Sequence, residues 1–303
     1  MKSDEQQTAR QGMFLAITAY TIWGIAPIYF KLISAASPLE ILSHRIVWSF
    51  FLLAALIHIG RRWHSVVQVL RSKRTMLCLL ATALLVGGNW LLFIWAINAN
   101  HILDASLGYY INPLLNVLLG MIFLGERLRK MQWFAVTLAT CGVLVQLIAF
   151  GSVPIIAIAL ALSFGFYGLI RKKINLDAQT GLFIETLLLF PIAALYLLAT
   201  TDSPTTMSAN PWSLNLLLIA AGAITTLPLL CFTGAATRLK LSTLGFFQYI
   251  GPSLMFLLAV LIYGEAFALD KAITFAFIWG ALITFSIDGL KANRHARTIA
   301  ASR

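Results

Sequence analysis

The chain is short of charge. Asp, Glu, Lys and Arg make up 11% of its 303 residues, and only 11 of them are acidic. A soluble domain carries about 25% charged residues, so a water-facing surface of ordinary size cannot be built from this composition. Cysteine is nearly missing too. Cys78, Cys141 and Cys231 all fall in apolar runs with no paired spacing, which excludes a disulfide framework and leaves them as packing residues. No phosphate loop, Gly-rich dinucleotide turn, zinc motif or acidic metal cluster occurs, so the sequence calls for no cofactor and gives catalysis little support.

What the chain does have is apolar length. Sixty per cent of it is hydrophobic and the mean hydropathy is +0.86. Runs near the ~20 residues needed to cross hydrocarbon fall at about 13–33, 41–60, 75–97, 102–124, 131–149, 152–170, 180–199, 213–235, 242–263 and 271–289. Lipid offers backbone groups no partners, and these runs far exceed a barrel strand, so they must be helices. The expected fold class is an all-α membrane protein with ten transmembrane helices.

A net charge of +11 would suggest nucleic acid in a soluble protein, but the placement of the basic residues argues otherwise. Sorted by alternate loops, 19 of the 22 Lys and Arg lie on one face, Arg127, Arg129, Lys130, Arg171, Lys172 and Lys173 among them. Lys31, Arg45 and Lys271 are the remainder. The positive-inside rule then puts both termini in the cytoplasm. The stretch Arg61 to Arg74 sets Trp63, Val66, Val67 and Leu70 among five basic residues and is expected to lie along the inner leaflet, with the lipid bilayer as its partner. Ser34, Ala35 and Ala36 make a weak cleavage site after the first span, but Lys31 interrupts the apolar tail and no cleavage is expected.

The sequence also contains itself twice. Pro113 to Glu126 (PLLNVLLGMIFLGE) returns as Pro252 to Glu265 (PSLMFLLAVLIYGE), with six of fourteen positions identical at an offset of 139. Five spans per copy is an odd number, so the second copy is expected upside down relative to the first, as in many transporters. The expected division is residues 1–150 and 151–303, two inverted five-helix repeats. The short connections, Asn98 to His101 and Phe150 to Ser152, leave no linker between independent domains; the longest external one, Thr200 to Ser213, is polar.

Gly87-Gly88-Asn89-Trp90 with Trp95, the block from Asp104 through Gly108-Tyr109-Tyr110-Ile111-Asn112-Pro113, Gly181 to Glu185 before Leu187 and Pro191, and Leu244 to Pro252 resemble the RarD permeases. That family belongs to the drug/metabolite transporter superfamily with its five-helix EamA repeat. The resemblance covers nearly the whole chain and implies a ten-helix permease of the bacterial inner membrane. It leaves the substrate open.

Pro113 and Pro252 fall near the middle of spans four and nine and free the carbonyls of Tyr109 and Gln248, at the depth where transporters bind substrate. Tyr109, Asn112 and Asn116 share a helical face with Gly120; Gln248 and Tyr249 are the counterparts of Tyr109 and Tyr110. With Asn89 and Trp90 of span three, whose counterpart in span eight carries Thr225, Thr226 and Pro228, these residues predict an uncharged polar pocket with aromatic walls for a small-molecule substrate. The competing reading is that these groups only join helices. Arg45, with His44, and Glu185 lie about five residues into spans two and seven and correspond at an offset of 140. Each must find a partner or a water-filled vestibule, since an unpaired charge costs about 2.5–3.5 kcal/mol to insert. They are candidates for gating or coupling, with a buried ion pair as the alternative. Glu126 and Glu265 are assigned structural roles at helix ends, Glu126 beside Arg127, Arg129 and Lys130. Asp104 is a candidate guard of the external mouth, and Asp288 sits at a span end. The function expected is a secondary permease moving a small polar or amphipathic metabolite or drug-like compound by alternating access. The alternative is an intramembrane enzyme or a membrane scaffold. Direction, coupling ion and oligomeric state are not encoded legibly.

Overall fold

In a computed structural model, the backbone is described for residues 2–33, 35–98, 102–199, 206–262 and 269–301. The Asp104 side chain, Asn100, His101, Thr200, Asp202 and Glu265 lie outside the described residues. Among the described residues twelve helices are present: α1 (Lys2–Leu32), α2 (Pro38–Ile59), α3 (Trp63–Arg71), α4 (Lys73–Asn98), α5 (Ile102–Leu124), α6 (Lys130–Phe150), α7 (Ile155–Ile174), α8 (Ala178–Ala199), α9 (Trp212–Arg238), α10 (Leu241–Gln248), α11 (Ile250–Leu261) and α12 (Leu269–Ala301). All but α3 build the ten candidate spans, with α10 and α11 together forming the ninth.

Local chemistry sets the helix ends. Ser37 and Glu40 form a capping box ahead of α2, with Pro38 in its first turn. Gly151 takes the left-handed conformation, φ 74°, that closes α6 where the halves meet. Asp177 accepts from the Thr180 N–H at 3.1 Å to open α8 and pairs with Arg62 at 2.6 Å, tying the loop before α3 to the loop before α8. Partial burial pushes the Asp177 carboxyl up, but the hydrogen bonds from Arg62 and Thr180 outweigh this and hold it below its ordinary value.

Glu126 has a different setting from the one expected. Its carboxylate folds back over Gly120 and accepts from the backbone N–H groups of Leu241 and Ser242 at 2.6 and 3.0 Å and from the Ser242 hydroxyl at 2.6 Å. Capping α10, whose unpaired N–H groups attract a carboxylate, wins over the neighbouring basic side chains. Arg129 instead pairs with Asp288 of α12. These ties, like that of Lys172 to the last carbonyls of α9, join segments that the charge pattern placed on one face.

Helix α1 packs on α9 and α11, α7 on α4 and α5, α2 on α8 and α9, α4 on α8, α5 on α10 and α6 on α12. Exchanging the first half for the second maps each of these pairings onto another or onto itself. The pattern is consistent with two inverted repeats, and the main apolar core draws residues from both halves. Among the described residues helix α3 has no counterpart. It turns Val66 and Val69 inward and sets Trp63 edge-on to Phe183, with ring centroids 5.6 Å apart. Val66 was expected on the lipid face; docking against the bundle claims it and leaves Val67 and Leu70 exposed.

In lipid the helices associate through close packing rather than through the hydrophobic effect. At Gly222 of α9 a Cβ would lie 2.5 Å from the Trp48 carbonyl carbon and 2.8 Å from the Ser49 nitrogen, and the Ser49 hydroxyl donates to the Gly222 carbonyl at 3.1 Å. Backbone cannot step aside as a side-chain tip can. Gly222→Ala is therefore expected to destabilise by about 3 kcal/mol, the upper range for overpacking, read as a lower thermal midpoint in detergent; an unchanged midpoint would refute the contact.

Candidate functional site

Helices α2 and α8 lie side by side, α2 entering from the face opposite the basic loops and α8 from the basic face. Arg45 and Glu185 are each the eighth residue of their helix, so the two ionisable groups sit toward opposite ends of one interface. They do not pair with each other.

Glu185 is 2% exposed. Its Oε1 accepts from the Thr82 hydroxyl at 2.6 Å, its Oε2 from the Tyr167 hydroxyl at 3.4 Å, and Arg171 Nη1 lies 3.7 Å away. Arg171 is 1% exposed, which corrects its assignment to a basic loop: α7 continues to Ile174, and one helical turn carries Arg171 inward while Lys173 faces out. The guanidinium lies across Gly181, where a Cβ would fall 1.8 Å from Nη1. Its Nε and Nη1 find no hydrogen-bond acceptor. This is a buried, loosely made ion pair toward the basic end of the interface.

Arg45 is only half-buried. Its Nε donates to the Thr225 hydroxyl at 2.8 Å, and its guanidinium lies 4.8 Å from the Trp90 ring and 5.6 Å from the Phe30 ring. Tyr29 and Tyr109 lie in its neighbourhood. The expected pocket was uncharged; a cation stands at its aromatic wall. His44 does not share this setting. It is buried and its Nδ1 accepts from Trp48 at 3.3 Å on the same helix, a packing contact.

Between the two charges, α2, α4, α8 and α9 enclose a narrow cavity of about 10 Å³, lined by Trp90, Glu185, Thr225 and Thr226 among others. It has room for about one water molecule. A larger cavity of about 280 Å³ opens among α5, α6, α11 and α12, lined by Tyr109, Tyr110, Gln146, Pro252, Asp270 and Lys271.

The midplane amides are joined to one another. Asn116 Nδ2 donates to Asn112 Oδ1 at 3.2 Å and to Gln248 Oε1 at 3.0 Å, all three side chains being buried. Tyr249 is buried and donates to the Tyr110 carbonyl at 3.2 Å. In this conformation they bind α5 to α10, and Gly245 lets the helices approach so closely that a Cβ would lie 2.7 Å from the Pro113 carbonyl. Asn89 bonds to the Leu160 carbonyl and the Ser163 hydroxyl of α7. Of the expected pocket residues, Trp90, Tyr109 and Tyr110 border cavities, as do Thr225 and Thr226 of the span-eight counterpart. The two prolines act differently: the ninth span is interrupted at Tyr249, whereas α5 runs continuously through Pro113. Gly251 precedes Pro252, and a glycine pair at 245 and 251 makes unwinding cheaper there; Asn112 precedes Pro113. Sequence reasoning missed Arg171, Thr82, Tyr167, Tyr29 and Phe30. Tyr167 and Arg171, one turn apart on α7, were the available signal for the first pair.

The EamA-like transporter family matches residues 10–148. An uncharacterized transporter of Vibrio cholerae is 74% identical over 97% of both chains. Protein RarD of Escherichia coli K12 is 62% identical over 96% of this chain and 98% of its own, and the chloramphenicol-sensitive protein RarD of Pseudomonas aeruginosa is 31% identical over 93% and 95%. One solved structure superimposes with a TM-score of 0.71 at 20% identity, covering 90% of this chain and 96% of that one, a likeness of fold. The ten apolar helices and these relatives define a multi-pass membrane transporter of the EamA-like class. Within that class, the chain belongs to the RarD family.

Proposed function

We propose that this transporter is a secondary permease of the bacterial inner membrane that moves a small polar or amphipathic metabolite or drug-like compound by alternating access. Transport is its role rather than catalysis, and both termini lie in the cytoplasm. The observation that supports this is the asymmetry of the central helices. At one end of the α2–α8 interface a buried carboxylate lies beside Arg171, while at the other the equivalent position carries a partly buried guanidinium among aromatic rings. Ends built differently at equivalent positions, one with an ion pair and the other without a counter-charge among the described residues, fit a bundle whose two ends open in turn, as alternating access requires. The amides of Asn112, Asn116 and Gln248 would separate and become available when α5 and α10 move apart.

Reconstitution into proteoliposomes with a metabolite panel tests the reading; flux of at least one compound above that of empty vesicles is expected, and none across the panel would overturn it. Topology has its own test. Single cysteines at Ser72, Lys130 and Lys173 are expected to react with an impermeant thiol reagent only from the cytoplasm, and those at Ser152 and Ser208 only from outside. Mixed labelling would remove the inverted arrangement.

A further inference from the structure

The transport reading leaves the substrate's charge open, and the two charge sites bear on it. Arg171 and Glu185 are separated by 14 residues, as are Lys31 and Arg45, and the two pairs correspond at an offset of 140. Where the second half places a cation and a carboxylate, the first half places two cations. Among the described residues no carboxylate is paired with Arg45. Thr225 occupies only Nε, so the Nη1 and Nη2 edge, the part of the fork that grips a carboxylate with two parallel hydrogen bonds, has no acceptor among the described residues. Glu40, one turn and a residue earlier on α2, is turned to the Ser37 N–H of the cap at 2.9 Å.

The surroundings then define the body of the ligand. The rings of Trp90 and Phe30 hold the guanidinium by cation–π contact. Tyr29, whose hydroxyl is tied to the Leu217 carbonyl at 2.8 Å, and Tyr109, edge-on to Phe93 at 6.0 Å between centroids, extend the aromatic wall. A cation in this position would be repelled. A neutral solute would leave a guanidinium inside the membrane without a counter-charge, which is costly.

We propose that the transported compound is an amphipathic organic anion, its carboxylate held by Arg45 and its apolar body lying against Trp90, Phe30 and the neighbouring tyrosines. This deepens the permease reading and rests on it.

The test uses the full-length protein in nanodiscs and three carboxylates, phenylacetate, indole-3-acetate and octanoate, each beside its amide and its amine analogue. Equilibrium binding is expected to favour at least one carboxylate by tenfold or more over its amide, with the amine weakest. Arg45→Gln should erase that preference, and Arg45→Lys, which keeps the charge but not the fork, should retain part of it; unchanged thermal midpoints in both variants show that the fold is intact. Amides binding as tightly as acids, a preference that survives Arg45→Gln, or no binding of any carboxylate would each overturn the proposal. Flux separates it from the reading beneath it. Transport of neutral or cationic compounds alone in proteoliposomes sinks the anion site and leaves the permease, whereas tight Arg45-dependent binding with no flux of any compound sinks the permease and leaves the site.

Discussion

Arg171→Ala should destabilise the bundle by about 3–5 kcal/mol, the cost of leaving a buried carboxylate without its counter-charge. Glu185 would then keep the Thr82 and Tyr167 hydroxyls but lose the only cation among the described residues within 4 Å of it. Replacing both partners with apolar residues of similar size, Arg171→Met with Glu185→Leu, should recover most of the loss, because a loosely made buried pair contributes little net stability against its own desolvation. Thermal unfolding of the purified protein in detergent reads the difference. Equal losses in the single and double variants would show that packing against Gly181, not charge, sets the effect. If the double variant folds well, stability does not explain the pair. What a pair offers, and an apolar contact does not, is a contact that can be exchanged for water when the end opens.

The parts of this molecule that the sequence expresses most directly are those governed by solvent. Crossing hydrocarbon demands ~20 apolar residues, and all ten spans overlap the expected runs, though the first begins at Gln7 rather than 13 and the ninth ends at Leu258 rather than 263. Basic residues shun the far side of the membrane, and the contacts of Arg62 with Asp177 and of Arg129 with Asp288 join segments sorted to one face. Side-chain partners are another matter. Whether Arg171 ends a loop or enters the core depends on one more turn of α7, and boundaries of that size are below what an apolar run defines. Asn89 and Asn112 look alike as amides in hydrocarbon, yet Asn89 bonds across to α7 while Asn112 accepts from Asn116 one turn along its own helix; only the first choice is made by which helix lies opposite. Glu126 was read by its neighbours in sequence, and it is the N-terminus of α10, 115 residues later, that engages it.

Glu185→Gln should open the basic end of the transporter. The change keeps the side-chain volume but removes the charge that holds Arg171 and strengthens the hydrogen bonds from Thr82 and Tyr167. Hydrogen bonds to a charged group contribute about 1.5–3 kcal/mol, and a loss at the low end already moves a two-state equilibrium about tenfold toward the form in which the pair is apart. Thr186 reports on that form. It is buried beside Glu185, lines the narrow central cavity, and its hydroxyl bonds only to carbonyls of its own helix at 2.9 and 3.0 Å, so Thr186→Cys disturbs little. With Cys78, Cys141 and Cys231 first replaced by Ala, this cysteine should react slowly with an impermeant thiol reagent from either face. Adding Glu185→Gln should speed its labelling from the basic face at least tenfold and slow it from the other, since one end closes as the other opens. Arg45→Gln, acting at the far end of the same interface, should not speed labelling from the basic face. Faster labelling from both faces at once would mean a loosened bundle rather than a moved gate. No change from either would show that the Arg171–Glu185 pair is not the seal, and the closure of the basic end would have to rest on helix packing alone.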